Sequence, residues 1–162
     1  VGLEPVKVNF VALKKVNIQE IPGIIEFAKE NDLHLHLIEY HAPNEEEELY
    51  KRYFYPLDDL EDTLTSKADR VEIRTLQHRK KTILPDGTEA EFVMPMANPE
   101  FCKNCHRIRI TADGKFKPCL MRNDNHVDFT SAFRTEDPVV TIEEAYKRAL
   151  KLRAPYFCQL DG

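Results

Sequence analysis

The sequence has no hydrophobic run long enough to cross a membrane. The apolar run from Val6 to Leu13 is far shorter than the roughly 18 residues that a span needs, and Lys7 and Asn9 interrupt it. No long apolar stretch with a small-residue cleavage signal is visible near the start, so no secretory leader is expected. We therefore expect a cytoplasmic protein without a membrane partner.

An excess of positive charge is also lacking. The chain has 23 Lys and Arg against 28 Asp and Glu, and its pI is about 5.7. Such a balance gives no overall attraction to nucleic acid, which we exclude as a partner. Any anion site must therefore be local.

Cysteine is scarce and clustered. Four cysteines in 162 residues are too few for a disulfide scaffold. Three of them, Cys102, Cys105 and Cys119, lie within eighteen positions, and Cys158 stands apart. This clustering indicates a metal site.

The first part of the chain has the pattern of a β-α-β unit. Residues 5–13 alternate like a strand, Asn17 offers a cap for an amphipathic helix over 18–31, and residues 33–41 form a second apolar run. A helix between two strands predicts that the strands are parallel. Another helix is predicted over residues 57–67.

Short alternating strands follow. Residues 71–76, 81–84 and 89–94, with an Asp86-Gly87 turn, predict an antiparallel meander. A second Asp-Gly pair predicts a hairpin between residues 107–110 and 115–119. Thr141 is predicted to cap a last helix over 142–152.

The expected fold is therefore α/β. Residues 1–68 would be the last strands of an incomplete parallel (β/α) TIM-like barrel, since two parallel strands alone are a poor fold. Residues 69–162 would form a C-terminal α+β module with antiparallel hairpins.

Two kinds of metal site fit the three cysteines. Structural zinc takes four protein ligands, and His106, His126 or Cys158 could supply the fourth. An iron–sulfur cluster held by three thiolates would leave one iron open to another ligand. Spacing alone slightly favours zinc and leaves both open.

Two arginines lie shortly after the first cysteine pair. Arg107 and Arg109 alternate with Ile108 and Ile110, which in a strand places both guanidiniums on one face, roughly 6.5 Å apart. Forked donors of this kind match phosphate oxygens, although two solvent-facing strand residues would give the same pattern. Lys7 is a further unexplained cation on an apolar strand.

The segment from Phe101 to Leu120, FCKNCHRIRITADGKFKPCL, closely resembles the C-terminal cluster motif of the GTP 3',8-cyclase family, the radical S-adenosylmethionine enzymes also called molybdenum cofactor biosynthesis protein A. PVKVN from Pro5 and LIEYHAP from Leu37 resemble two barrel-strand motifs of that family, in the same order. The resemblance covers essentially the whole chain and about the C-terminal half of the family.

The resemblance implies a role for each motif. Cys102, Cys105 and Cys119 would hold a [4Fe-4S] cluster whose open iron binds the purine of GTP. Arg107, Ile108 and Arg109 would match the family's GTP-binding segment, and Lys7 its GTP-contacting lysine. An adenosyl radical would remove the C3' hydrogen of GTP, and C3' would then attack C8, giving 3',8-cyclo-7,8-dihydro-GTP for molybdopterin synthesis.

The chain departs from the family at two places. His41 stands where many relatives have a methionine that contacts S-adenosylmethionine. The N-terminal C-x3-C-x2-C motif of the radical-generating [4Fe-4S] cluster has no counterpart among the four cysteines. We therefore expect this chain alone to bind substrate without generating the radical.

The implied partners are GTP, S-adenosylmethionine and the next enzyme of the molybdopterin pathway. A second copy of the chain, in a homodimer, is a further candidate partner. The alternative from another class is a non-catalytic, zinc-stapled binding module. It differs by needing a fourth protein ligand for its metal.

Overall fold

The computed structural model of the chain describes residues 2, 4–41, 47–96 and 98–153. These residues form a mixed α/β protein with two β-sheets and five α-helices. The chain forms two compact units, Val1–Asn104 and Cys105–Gly162. The predicted α/β class is confirmed at this level.

The first unit contains a five-stranded sheet in the order β1-β2-β5-β4-β3. Its strands are β1 (Lys7–Ala12), β2 (His34–Glu39), β3 (Arg70–Ile73), β4 (Lys80–Ile83) and β5 (Glu89–Val93). Its helices are α1 (Ile21–Glu30), α2 (Glu47–Tyr53), α3 (Asp58–Ser66) and α4 (Pro99–Lys103).

The predicted β-α-β unit is confirmed. Strands β1 and β2 pair in parallel, with Lys7 opposite His34, and α1 connects them. The helix begins later than predicted because residues 18–20 form a 3₁₀ turn and Pro22 lies in the first helical turn. Asn17 makes no side-chain capping bond; its Oδ1 accepts a hydrogen bond from the Leu13 N–H at 2.8 Å.

The predicted meander is also present, and β5 joins it to the parallel strands. Strands β3, β4 and β5 are antiparallel, while β5 pairs in parallel with β2. One sheet therefore contains strands from both sides of residue 68. Because β5 pairs with both β2 and β4, the meander belongs to the first compact unit, Val1–Asn104.

The two faces of this sheet differ in chemistry. Alternate residues of β1, β2 and β5 are buried with side chains of α1 and α3 in one apolar core: Ala12, Leu35, Leu37, Ala90 and Phe92 with Ile21, Ala28 and Leu64. The register places Lys7, His34, His36 and Glu91 on the opposite face. Successive side chains of a strand point to opposite faces, so one face is apolar and the other is polar.

The second unit contains a three-stranded sheet and one long helix. The strands are β6 (Arg109–Ile110), β7 (Lys115–Lys117) and β8 (Val127–Asp128). The predicted hairpin is confirmed, since β6 and β7 are antiparallel. The last strand, β8, is only two residues long, too short to leave a periodic signal in the sequence.

Helix α5 (Pro138–Lys151) begins earlier than predicted. Asp137 is its N-cap, with its side chain accepting a hydrogen bond from the Val140 N–H at 3.1 Å. The prediction that Thr141 caps this helix is wrong: Thr141 lies in the first turn, and its hydroxyl donates to the Asp137 carbonyl. A proline is well accommodated at the first helical position, which makes the preceding Asp the cap.

None of the helices within the described ranges has both the length and the apolar character to cross a membrane.

Candidate metal and nucleotide site

Cys102 lies in α4, a five-residue helix that is fixed at both ends. At its start, Asn98 Oδ1 accepts a hydrogen bond from the Phe101 N–H at 3.0 Å, and Asn98 Nδ2 donates to the Met94 carbonyl at 2.9 Å. Phe101 is buried. At the other end, Asn104 Nδ2 donates to the Glu100 carbonyl at 2.9 Å. A helix this short has little stability of its own, so these contacts hold Cys102 in place.

The loop between β3 and β4 also contacts this helix. The backbone N–H of Gln77 donates to the carbonyl oxygen of Asn104 at 2.7 Å. Gln77 and His78 have φ angles of 63° and 50°, a left-handed conformation that costs a non-glycine residue roughly 1–2 kcal/mol. The loop is closed by a hydrogen bond from the Arg74 N–H to the Arg79 carbonyl at 2.8 Å.

The loop ends in a buried ionic network on the polar face of the sheet. Arg79 Nη2 lies 2.8 Å from Glu91 Oε1, and His36 Nε2 lies 3.4 Å from Glu91 Oε2. Burial of the Glu91 carboxyl raises its pKa, but the adjacent His36 imidazole and the positive charge of Arg79 outweigh burial and hold that pKa below its usual value.

Sequence reasoning missed this network. Glu91 is directly opposite His36 only when β5 is placed beside β2. That pairing is not visible in the sequence, since 49 residues lie between the end of β2 and the start of β5.

Cys105 and Cys119 belong to the second unit, whereas Cys102 belongs to the first. Cys119 follows β7 directly after the buried Pro118. All three side chains are partly exposed thiols, which suits ligands that must accept iron or zinc from solution. Within the part of the chain that the structure describes, no three His, Cys, Asp or Glu side chains are gathered as a metal site.

Arg107 and Ile108 precede β6, and Arg109 is its first residue. The side chain of Ile108 packs against the core of the second unit, formed by Phe116, Val127, Ala145 and Ala149. Neither guanidinium makes a hydrogen bond or ion pair with any described residue. A packed isoleucine between two uncompensated cations suits a rigid anion-binding segment.

Lys7 is the first residue of β1 and is exposed. It lies beside His34 in the sheet register, on the polar face. Its ammonium group has no ion-pair partner among the described residues.

His41 follows β2 and is half-buried, with its Nδ1 3.2 Å from the Glu39 carbonyl oxygen. Glu39 itself lies on the core face and is 3% exposed. Burial, followed by the charges of Asp58 and Glu61, raises the pKa of Glu39 to about 7, although the hydrogen bond from the Leu57 N–H opposes that rise. Strand alternation with Leu35 and Leu37 could have identified this buried acid.

A small polar cavity of about 130 Å³ lies at the opposite end of β2 and β5. His34, Glu89, Lys29 and Asp86 are among its lining residues. Ligand pockets are typically about 300–1,000 Å³, so this cavity is too small for a nucleotide. None of the residues predicted to bind GTP lines it.

The side chains considered as a fourth zinc ligand differ in environment. His106 is exposed, and His126 is half-buried with its Nε2 lacking a hydrogen-bond partner among the described residues. Cys158 lies outside the described residues. The structure therefore describes two of the three.

The fold and site together define a mixed α/β protein that carries three clustered thiols in its sequence and uncompensated cations in both units. The family described as Molybdenum Cofactor Synthesis C matches residues 33–158. This chain belongs to that family.

Curated relatives support the same assignment over nearly the whole chain. Proteins named "Probable GTP 3',8-cyclase" from Thermococcus kodakarensis and Methanocaldococcus jannaschii are 42% identical over 160 residues and 41% identical over 157 residues. These matches cover 96% and 97% of this chain but 52% and 50% of the relatives. A protein of the same name from Methanosarcina acetivorans is 44% identical over 163 residues, covering 99% of this chain and 46% of the relative.

The chain thus spans about half the length of the curated relatives it matches. The resemblance to the C-terminal half of the GTP 3',8-cyclases is confirmed. Membership of this family supports a role in molybdenum cofactor biosynthesis.

Proposed function

We propose that this chain is the substrate-binding half of a GTP 3',8-cyclase, which converts GTP to 3',8-cyclo-7,8-dihydro-GTP in molybdopterin synthesis. The observation that carries the proposal is the pair Arg107 and Arg109, which have no carboxylate partner among the described residues and begin two positions after Cys105. The relatives' printed name supports the same substrate.

The arginine segment would bind the charged end of GTP. Two guanidiniums present parallel N–H donors that match phosphate oxygens better than an ammonium does. Ile108 is anchored in the core of the second unit, so the backbone that carries both arginines would be held before substrate arrives. Pre-organisation of this kind reduces the entropy lost on binding.

Lys7 would be a further contact for GTP. We infer that residues 1–68 contribute the last strands of an incomplete TIM-like barrel, whose interior would be the polar face that carries Lys7. An uncompensated lysine on that face suits an anionic ligand. Residues 69–162 would then include the auxiliary cluster and GTP-binding module.

The three cysteines fit an iron–sulfur cluster in their chemistry, since soft thiolates are its usual ligands. Cys102, Cys105 and Cys119 would hold it, and when bound it would supply an iron open to the purine. The protein's own part is to fix the substrate at both ends and to exclude water while the radical acts.

Other parts of the reaction would belong to the half of a GTP 3',8-cyclase that this chain does not match. S-adenosylmethionine and a second [4Fe-4S] cluster would be bound mainly there, with His41 as a contact from this chain. Three further properties stay predictions: interaction with the next enzyme of the pathway, formation of a homodimer, and a cytoplasmic location.

Anaerobic reconstitution with iron and sulfide tests the proposal. We expect about four iron and four sulfide per chain, with sulfide-to-iron charge-transfer absorption. Substituting serine for Cys102, Cys105 or Cys119 should abolish uptake, whereas Cys158→Ser should leave it unchanged.

The zinc-stapled module predicts the opposite pattern. Under that alternative the chain takes up zinc without sulfide, and Cys158→Ser or His126→Gln destroys metal binding. That result would overturn the cyclase proposal.

A further inference from the structure

The sheet of the first unit is connected to the helix that carries Cys102, and Arg79 is central to that connection. We propose that Arg79 is a positioning residue for Cys102: by binding Glu91, it fixes the loop whose Gln77 N–H holds the end of α4. The inference rests on the proposed metal site and assigns it a support inside the first unit.

A backbone hydrogen bond joins the loop between β3 and β4 to the end of α4. The last carbonyl groups of a helix have no partner within it. The Gln77 N–H satisfies the carbonyl of Asn104, the residue that ends α4, at 2.7 Å. Asn104 N–H in turn donates to the carbonyl of Cys102. Movement of Gln77 would therefore displace the turn that carries the thiol.

The loop itself has an unfavourable backbone conformation. Two consecutive non-glycine residues with positive φ, Gln77 and His78, persist only where surrounding contacts hold them. The hydrogen bond from the Arg74 N–H to the Arg79 carbonyl closes the loop on itself. It does not attach the loop to the sheet.

The ion pair between Arg79 and Glu91 attaches the loop to the sheet. The guanidinium of Arg79 reaches Glu91 on β5, and both side chains are almost fully buried, with 8% and 5% exposed. His36 on β2 contacts the second oxygen of the same carboxylate. Removing one partner of a buried ion pair leaves an uncompensated charge, so loss of the guanidinium should release the loop.

Reconstitution of the full chain with iron and sulfide tests the proposal in four proteins: wild type, Arg79→Met, Arg79→Lys and the control Arg70→Met. Arg70 forms an exposed ion pair with Glu72 on the same sheet. Iron affinity and the electron paramagnetic resonance spectrum of the reduced cluster are measured, with circular dichroism to confirm folding.

We expect Arg79→Met to weaken iron binding about tenfold or more, the range typical of residues that orient ligands. Arg79→Lys keeps the charge and the fold but loses the fork, so its cluster should show shifted or broadened g values. Arg70→Met should match wild type. Gln77→Gly keeps the donating N–H and accepts positive φ, so its spectrum should also match wild type.

The outcomes separate the two proposals. If the wild-type chain takes up no cluster, the proposed function fails. If wild type loads and a folded Arg79→Lys protein loads with an identical spectrum and affinity, the positioning role is overturned. Arg79→Lys decides the matter even if Arg79→Met does not fold.

Discussion

Glu39 accepts a hydrogen bond from the Leu57 N–H at 3.2 Å. This bond joins β2 to the residue that immediately precedes α3. The carboxyl is buried on the apolar face of the sheet, and its pKa is raised to about 7 from 4.5. A group with a raised acid pKa binds its proton more tightly in the folded state than in the unfolded state. Its contribution to the free energy of unfolding is therefore present below pH 4.5 and is lost as pH rises through 7.

Replacing Glu39 with glutamine should remove this pH dependence. Gln keeps an acceptor for Leu57 but cannot ionise, so the variant should gain stability relative to wild type by roughly 1–3 kcal/mol between pH 5 and pH 8. Urea unfolding at the two pH values measures the difference. The exposed Glu30→Gln serves as control, and equal behaviour of both variants would show that Glu39 titrates normally.

The cap of α5 gives a second prediction. Asp137→Ala removes the acceptor for the Val140 N–H and should cost about 1 kcal/mol of unfolding free energy. Thr141→Ala removes a hydroxyl bond inside the first turn and should cost less than about 0.5 kcal/mol, because alanine favours helix. Chemical unfolding followed by circular dichroism compares them. A larger loss for Thr141→Ala would restore Thr141 as the cap.

The hairpin turn gives a third prediction. Gly114 has a φ of 75°, and a Cβ at this position would overlap Thr130 Cγ2. Gly114→Ala should therefore destabilise the chain by about 1–3 kcal/mol. Adding Thr130→Ser removes the overlapping methyl group and keeps the hydroxyl that donates to Asp128.

The double variant should recover part of that loss and leave the cost of the positive φ. A double-mutant cycle by thermal unfolding measures the recovery. Strict additivity of the two substitutions would mean that the methyl group is not what the alanine meets.

The arginine segment gives a fourth prediction, on nucleotide binding. Hydrogen bonds to charged groups contribute about 1.5–3 kcal/mol, so Arg109→Met should weaken GTP binding about tenfold to a hundredfold. Guanosine, which lacks the triphosphate, should bind the variant and wild type equally. Isothermal titration with both ligands measures this.

Arg134→Met is the matched control, because Arg134 is an exposed arginine of the same unit. An equal effect of both substitutions on GTP would indicate general electrostatic attraction. An equal effect of Arg109→Met on GTP and guanosine would contradict phosphate recognition.

Local sequence patterns predicted where the helices and strands lie better than they predicted which strands pair. The strand alternation of residues 5–13 and 33–41 and both Asp-Gly turns identified the elements correctly, because each signal lies within one segment. The pairing of β2 with β5 could not be predicted, since β5 joins strands on either side of it that differ in direction. The place of Glu91 beside Arg79 depends on that pairing.

The site was predicted from residue types alone. The thiols and the arginine pair are candidates from the sequence because their spacing is local, and their roles stay predictions. The sequence did not identify the Gln77 contact with Asn104, which depends on a loop with two left-handed residues that no turn motif signals. Contacts made by backbone atoms leave no trace in residue type.

Strand β5 has a different chemistry on each of its faces, and this protects the fold against mispairing. A slip of one position along β2 would carry Glu91 into the apolar core and Phe92 into the ionic network, so both faces would oppose it at once. A strand constrained on one face can exchange partners at moderate cost. A slip of β5 is unfavourable on both faces, which gives the strand a single register between a parallel and an antiparallel neighbour.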